Sequence, residues 1–463
     1  MRLSVARARS ARSVALAALL AGGNVKAALE REFRDAGLAA RDRALATELA
    51  NGTLKMQRAL GWSLARFLRR PLATLDTPVR WALLLGAYQL LYADKIPRHA
   101  AVNETVALAR ATGHAGTAAL ANAVMRKLAA DPQRPPLPAE GDVTGLASYA
   151  SLPDWIAAHL IQRFRERARQ AAEGMNLPAR VAVRVNTARW KVAAARSALE
   201  RAGANVGAGA YGIPECLIVR NVAAAGVDWL RRRIATGELA FQSEESQLAV
   251  QLLDPTPGET ILDVCAGRGT KTALIALRLS GAGRIISIDD DEKKLGALRA
   301  AIERAGLGGV ATVACDARAV FPPAVPRLAD AALVDAPCSA LGILGRRADA
   351  RWQKSPADCR RLARVQAAII RRAAECIRPG GRLLYVTCST SAAEDEDVVQ
   401  TFLGEDARWR ALPLVAPAGA DAGAIGPFLL VTPGIDGNDG FFYALLERRH
   451  MERPSPASRE LNG

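Results

Sequence analysis

The sequence predicts a multidomain protein: an all-α bundle, then a small α/β subdomain, then a larger α/β domain of Rossmann-like kind. Three observations predict it. The chain has 463 residues, half of them hydrophobic, which is more than one ordinary domain and enough for several cores. From Val5 to about Ala130, Ala and Leu recur at helical spacing. From Phe241 onward, short apolar runs alternate with longer amphipathic stretches, as in a parallel sheet covered by helices on both faces.

The first segment carries basic residues and then Val14-Ala-Leu-Ala-Ala-Leu-Leu20, which imitates a secretion signal. The apolar run is short and amphipathic helices continue from it, so it reads as a core helix. No run approaches the ~18 apolar residues needed to span a bilayer. Trp81-Ala-Leu-Leu-Leu-Gly-Ala-Tyr-Gln-Leu-Leu-Tyr92 is apolar nearly all round, as a central helix buried by its neighbours would be. Helices over 103–112 and 116–129 complete the bundle. Ala101-Val-Asn-Glu-Thr-Val-Ala-Leu-Ala109 and Ala121-Asn-Ala-Val-Met-Arg-Lys127 resemble the corresponding helices of NusB-like RNA-binding domains. That resemblance implies an RNA-docking module; a generic helical interaction domain is the alternative.

Residues 131–145 form a linker, in which Pro132, Pro135, Pro136 and Pro138 restrict the chain to extended conformations. The subdomain over 146–240 opens a helix at Leu152-Pro-Asp-Trp155, where proline and acid suit a helix start. Val181-Ala-Val-Arg-Val185 alternates like a strand, and a helix over 192–202 and a Gly-rich turn follow. Arg184, Arg189 and Arg231 to Arg233 could track phosphates or could be solvated.

In the third domain, 241–450, strands are expected at 259–264, 284–288, 310–314, 331–334 and 382–387. Helices are expected at 271–280, 291–305, 358–377 and 394–403. The apolar runs 428–431 and 440–447 suit an antiparallel hairpin at the sheet edge. Residues 451–463 read as a polar, disordered tail.

The net charge of +16 points towards a polyanionic partner, and such binding is salt-sensitive without being sequence-selective. An Arg-rich composition from a biased genome is the bland alternative. The seven cysteines form no C-x-x-C pair and are odd in number, which fits a reduced, cytoplasmic protein better than a disulfide framework or a metal site. No histidine stands between Leu160 and Arg449, so a Ser-His or Cys-His catalytic pair is excluded there.

The stretch Ile261-Leu-Asp-Val-Cys-Ala-Gly-Arg-Gly-Thr-Lys-Thr272 reads as strand, glycine-bearing loop and helix, and open α/β sheets bind ligands just beyond such strand ends. Asp289 ends the next strand about twenty residues on, where an acid accepts ribose hydroxyls. The third glycine of a pyrophosphate fingerprint is missing, since Thr272 stands there. That disfavours a dinucleotide oxidoreductase. S-adenosylmethionine has no phosphate and carries a sulfonium, so acids suit it, and Asp263, Asp289, Asp316 and Asp335 each end or follow an expected strand.

Asp335-Ala-Pro-Cys-Ser-Ala-Leu-Gly342 follows the fourth strand and Tyr385-Val-Thr-Cys-Ser-Thr390 closes the fifth. If these strands are neighbours, about 4.8 Å apart, Cys338 and Cys388 open onto one crevice. Either cysteine alone reads as packing. Together, with no histidine partner, they suit cytosine: carbon 5 becomes nucleophilic once a thiolate adds at carbon 6. A carboxylate such as Asp335 near ring nitrogen 3 would stabilise the protonated adduct. The target base must be unstacked or single-stranded.

Asp263-Val-Cys-Ala, Asp335-Ala-Pro-Cys338 and Thr387-Cys-Ser389 match motifs of the RNA (cytosine-5-)methyltransferases of the Sun/Fmu and nucleolar Nop type. Phe241-Gln-Ser-Glu-Glu-Ser-Gln-Leu248 and Asp439-Gly-Phe-Phe-Tyr443 resemble that family's lead-in to the cofactor domain and its closing strand. With the NusB-like front, the resemblance covers nearly the whole chain and points to the enzymes acting on 16S rRNA. It implies a class I S-adenosylmethionine-dependent fold, with Cys388 as nucleophile, Cys338 assisting breakdown of the adduct and Asp335 as a further catalytic group. It places the cofactor at Cys265, Ala266, Gly267, Arg268, Gly269, Thr270, Lys271, Asp289, Asp316 and Asp335. The expected protein is a cytoplasmic monomer that binds RNA, with no membrane and no metal.

The chain also departs from the family. Gly267, Arg268 and Thr270 replace an Ala, a Pro and a Gly of the usual cofactor loop; Arg268 could disfavour a sulfonium or point outward. Gly345 and Ala348 stand for an Arg and a Pro, and Asp395 for an Asn. Arg346, Arg347, Asp349, Arg351 and Trp352 keep a basic-aromatic character suited to RNA. A different RNA target (tRNA or 23S rRNA) and a non-catalytic ribosome-assembly protein are the alternatives.

Overall fold

The computed structural model describes residues 10–222, 224–417, 422–434 and 437–450. The expected tail at 451–463 and the first nine residues lie outside the described residues. The chain divides into two compact units, one of residues up to Asn176 with Arg346–Gln353, the other of the rest.

The first unit is helical: α1 (Ala11–Ala21), α2 (Val25–Ala36), α3 (Ala40–Ala65), α4 (Thr77–Tyr92), α5 (Arg98–Thr112), α6 (Ala115–Ala130), α7 (Val143–Tyr149), α8 (Asp154–Phe164) and α9 (Ala168–Gly174). The signal-like run is a core helix. Ser10 opens α1 with a reciprocal capping box to Ser13, and Val14, Ala15, Leu16, Ala18 and Leu19 are buried. α4 is the buried helix expected from its all-round apolar character, with Val79, Leu83, Leu85 and Leu91 inside. Each such side chain contributes roughly 1.5–3 kcal/mol on burial. Gly86 lets α5 and α6 approach α4, because a Cβ there would run into Thr105 and Met125. The linker is pinned to the bundle: the Arg134 guanidinium lies 4.3 Å from the centre of the Tyr92 ring and donates to the Leu91 carbonyl, and Asp131 pairs with Arg66 at 2.8 Å.

The second unit begins with β1 (Val181–Val185), α10 (Val192–Arg201), β2 (Ala204–Ala208), β3 (Cys216–Val222), α11 (Ala224–Ala235) and β4 (Leu239–Phe241). Its strands lie in the order β2-β3-β1-β4, all antiparallel, the ferredoxin-like β-α-β-β-α-β arrangement. Val183, Val185, Leu217 and Val219 are buried, against Ala195 and Leu199 of α10.

The larger sheet follows. Its elements are α12 (Glu244–Leu253), β5 (Thr260–Val264), α13 (Thr270–Leu279), β6 (Arg284–Asp289), α14 (Glu292–Ala305), β7 (Val310–Ala314) and β8 (Ala329–Asp335). Then come α15 (Ala350–Gln353), α16 (Pro356–Ala374), β9 (Ile377–Thr387), α17 (Glu396–Glu405), β10 (Trp409–Leu412), β11 (Ala422–Ile425), β12 (Phe428–Val431) and β13 (Phe441–Arg448). The strand order is β11-β12-β13-β9-β8-β5-β6-β7, with β10 also on β13. Strands β9, β8, β5, β6 and β7 are parallel, as expected, while β13 runs antiparallel to β9. The expected hairpin forms, but β13 pairs on both sides and lies inside the sheet. Its Phe442, Tyr443 and Ala444 are fully buried, which an edge position would not allow.

Of the residues expected beside RNA, Arg346 and Arg347 are exposed, whereas Arg351 and Trp352 turn inward. Arg351 is fully buried within the helical unit. It donates to the Lys55, Ser151 and Met175 carbonyls and to Asn176 Oδ1. Burial alone lowers its pKa to about 9. Trp352 donates its ring N–H to the Leu54 carbonyl at 2.8 Å. A fork of five donors suits a buried cluster of carbonyl oxygens as well as it suits phosphate. Arg351→Ala orphans four acceptors, two of them buried, and opens a cavity, outweighing the relief of removing a buried charge. We expect a loss on the order of 3 kcal/mol, read by urea unfolding of the full chain. An unchanged midpoint would return Arg351 to a surface role.

Candidate active site

The carboxyl ends of the parallel strands gather the polar groups of the second unit. Strand β5 exists because Ile261, Leu262 and Val264 are completely buried in the sheet. Asp263 is buried between them and accepts from Thr272 Oγ1 at the start of α13. Burial pushes its carboxyl up to about 7, against the pull of the Thr272 hydrogen bond and the Lys271 charge.

The chain then turns sharply. Cys265 takes a left-handed φ of 63°, an uncommon conformation for a residue with a Cβ, and the Ala266 N–H donates to the Ile288 carbonyl at 2.9 Å. Gly269, at φ 78°, caps α13, and a Cβ there would strike Leu298. Gly267, at φ 58°, faces open space instead: a Cβ would meet nothing within 4 Å. Arg268 and Thr270 are exposed, so of the two readings of Arg268 the outward one holds.

Asp289, the last residue of β6, is buried and organises this loop. Its Oδ2 accepts the Gly267 N–H at 2.9 Å; its Oδ1 accepts the Asp291 N–H at 3.0 Å and Lys294 Nζ at 3.2 Å. Asp316, just beyond β7, is taken up by the Arg318 guanidinium, which holds its carboxyl below the usual range. The four strand-end acids therefore do line one edge, but they differ in company. Together Asp335, Asp289 and Asp263 reinforce burial in pushing the Cys265 thiol up.

Asp335 ends β8 and meets Lys271 at 2.6 Å. Burial would lower the pKa of Lys271, yet the Asp335 charge and hydrogen bond, helped by Asp263, raise it above its ordinary value. The Lys271 ammonium also lies 5.9 Å from the centre of the Phe441 ring.

The two cysteine loops converge because β8 and β9 are hydrogen-bonded neighbours. Cys338 Sγ and Cys388 Sγ stand 3.1 Å apart, both free thiols and both partly open to solvent. The Gly342 N–H donates to the Cys388 carbonyl at 2.9 Å, and the Gly440 N–H donates to the Gly342 carbonyl at 2.7 Å. Glycine is required at 342, where a Cβ would strike the Gly440 backbone. The hydrogen bond with Cys388, then burial and the Cys388 charge, hold the Cys338 thiol well above its usual pKa. Cys338 therefore keeps its proton.

Two further residues escape a reading of the sequence. Arg184 neither tracks phosphate nor sits in solvent: it is buried and donates to Gln242 Oε1 at 2.7 Å and to the Thr270 carbonyl at 2.5 Å, bracing the start of α13. Glu394, which the sequence placed only at the start of an expected helix over 394–403, is completely buried behind the cysteines. The alternation of β1 puts Arg184 on the face opposite the buried Val183 and Val185, so nothing local marked its burial, and nothing local marked that of Glu394.

Comparison with known proteins covers nearly the whole chain. A family model described as 16S rRNA methyltransferase RsmB/F matches residues 250–447. The NusB family model matches 9–130, and an RsmF/B-like ferredoxin-like domain matches 152–224. A probable ribosomal RNA small subunit methyltransferase B of Bacillus subtilis is 30% identical over 89% of this chain and 92% of its own length. A ribosomal RNA small subunit methyltransferase B of Vibrio cholerae is 32% identical over 89% and 90%. Among solved structures, the PH0851 chain aligns over 95% of this chain and 98% of its own, with a TM-score of 0.77 at 24% identity. A methyltransferase homologue from Pyrococcus horikoshii aligns over 67% of this chain and 100% of its own, with a TM-score of 0.58 at 23% identity. Both solved structures share the fold.

Proposed function

The chain belongs to the RsmB/F family of small-subunit rRNA methyltransferases, and from that premise we propose that it methylates carbon 5 of a cytosine in 16S rRNA through a covalent cysteine adduct. As a family member it is an S-adenosylmethionine-dependent RNA methyltransferase. The observation that carries the finer reading is the pair of thiols 3.1 Å apart, beside the Asp335–Lys271 ion pair at the carboxyl edge of the sheet.

The cofactor loop fits S-adenosylmethionine. Open space over Gly267, a buried acid at Asp289 and the surrounding negative field suit a ribose and a sulfonium, and the exposed Arg268 does not oppose them. Residues 265–271, Asp289, Asp316 and Asp335 are the proposed contacts. When bound, the cofactor supplies an electrophilic methyl group. The protein's own residues do the rest. The Cys388 thiolate adds to carbon 6 of the cytosine, and the ring electrons make carbon 5 nucleophilic. Asp335, fixed by Lys271, accepts a hydrogen bond from the protonated ring nitrogen 3 of the adduct. After methyl transfer the carbon-5 proton passes to solvent water. The electrons of that bond re-form the carbon 5–carbon 6 double bond as the carbon 6–sulfur bond breaks to release the Cys388 thiolate, and nitrogen 3 gives its proton back to solvent. Cys338, still protonated, donates a hydrogen bond to that leaving sulfur. The 1–130 segment serves as RNA-docking module, 146–240 as the small subdomain and 241–450 as the catalytic domain.

The basic surplus of the chain supports RNA binding. Among the described residues no helix is long and apolar enough to cross a membrane, and we place the working enzyme in the cytoplasm as a monomer. Bisulfite sequencing of 16S rRNA from a deletion strain tests the assignment: one cytosine should lose its protection, and an unchanged pattern would reject it. Failure to bind S-adenosylmethionine in a titration would favour the assembly-protein alternative.

Asp289→Ala should weaken S-adenosylmethionine binding on the order of 1.5–3 kcal/mol, about 10- to 150-fold in Kd. Two effects add, because the carboxylate also holds the Gly267 N–H and so shapes the loop. Calorimetry giving the wild-type Kd would place the ribose elsewhere.

A further inference from the structure

Glu394 is a fully buried carboxylate that lies behind both cysteine loops. Its Oε1 accepts the Ser339 N–H at 2.7 Å and Gln366 Nε2 at 3.2 Å. Its Oε2 accepts the hydroxyls of Ser339 and Ser389, the latter at 2.8 Å. Ser339 directly follows Cys338, and Ser389 directly follows Cys388. The two hydroxyls also meet each other at 3.2 Å. Gln366 of α16 extends the clamp by donating to the Pro337 carbonyl at 2.9 Å. The Glu394 carbonyl is itself held by the Tyr385 hydroxyl at 2.6 Å. A buried carboxylate is costly unless its oxygens are satisfied, and here both are, by donors from two separate loops.

We propose that Glu394 is a positioning residue for methyl transfer: its carboxylate joins the serine after each cysteine and so sets the separation of the two sulfurs. The proposal rests on the reading that these thiols carry the chemistry. Neighbouring strands alone bring the loops to one edge of the sheet. Placing two sulfurs at one base to within an ångström needs a tie between the loops, and Glu394 joins both. Gly342 and Gly440 fix the outer side of the same loops, so the carboxylate completes the support from within.

The test measures thiol geometry apart from catalysis. A dibromobimane reagent, which fluoresces only when both arms alkylate neighbouring thiols, is applied to the full-length protein, with Cys338→Ala as the blank. Wild type should cross-link. Glu394→Ala should lose that signal, and its kcat should fall about 100-fold, with KM for RNA and for S-adenosylmethionine within about 2-fold of wild type. Glu394→Gln keeps the shape and lets the serine hydroxyls turn round to accept from its amide, so it should recover at least about 10-fold of the lost kcat. Full cross-linking in folded Glu394→Ala, or lost cross-linking with wild-type kcat, would overturn the proposal. Should Glu394→Ala not fold, as judged by circular dichroism, Ser389→Ala removes one arm only. It should lower the cross-linking yield about 3-fold, and an unchanged yield would overturn the proposal equally. Turnover by Cys388→Ala would instead remove the thiol mechanism, while the cross-link would still report on the clamp.

Discussion

Cys388→Ala should abolish methyl transfer, lowering kcat on the order of 10³-fold or more, because without a sulfur to add at carbon 6 the cytosine ring has no nucleophilic carbon 5. RNA binding should survive, since the basic surplus that attracts phosphate is spread along the chain. The S-adenosylmethionine loop should survive too, because its hydrogen bonds run through Asp289, Ile288 and Thr272. Transfer of radiolabelled methyl to 16S rRNA, beside filter binding of the same RNA, separates the two. Wild-type turnover in this variant would remove Cys388 as the nucleophile.

Cys338→Ala should fail differently. Attack through Cys388 should still proceed, but the departing sulfur loses the thiol whose Sγ stands 3.1 Å away. The RNA adduct should then accumulate, appearing as a slower band on a denaturing gel in the presence of cofactor. Combining both substitutions should abolish the band, since no bond forms to be trapped. A Cys338→Ala enzyme that releases product at the wild-type rate would assign that thiol to packing alone. The hydrogen bond with Cys388 and burial hold the Cys338 thiol well above its usual pKa, which suits it to donate rather than to attack.

The architecture was legible wherever the periodicity was strong. The five parallel strands, the buried α4 and the hairpin of β12 and β13 follow from runs of apolar residues with the right period and punctuation. The meeting of Cys338 and Cys388 followed from strand adjacency, itself a tendency of consecutive parallel strands. What escaped was set by long-range partners. Strand β13 lies inside the sheet because β9, far earlier in the chain, takes the side that β12 leaves free, a pairing that no local pattern encodes. Arg184 and Arg351 looked like surface charges by residue type, yet both are buried on carbonyl oxygens supplied by distant segments. Glu394 was hidden in an acidic run because its partners Ser339 and Gln366 stand 55 and 28 positions away. Polar residues that act through buried networks leave no periodic trace.

The anchoring of Arg351 bears on how such a protein can be divided. Eight residues encoded between the Cys338 loop and α16 belong to the helical unit, although most of that unit is encoded before Asn176. Cutting the gene at the proline-rich linker would part the buried Arg351 guanidinium from the Lys55 carbonyl and the Trp352 ring N–H from the Leu54 carbonyl. The front piece, expressed by itself, would leave the Lys55 and Leu54 carbonyls without these donors. The modules of such a chain are consecutive as folds but interleaved as genes, so swapping the front piece between relatives should succeed only when this short return segment travels with it.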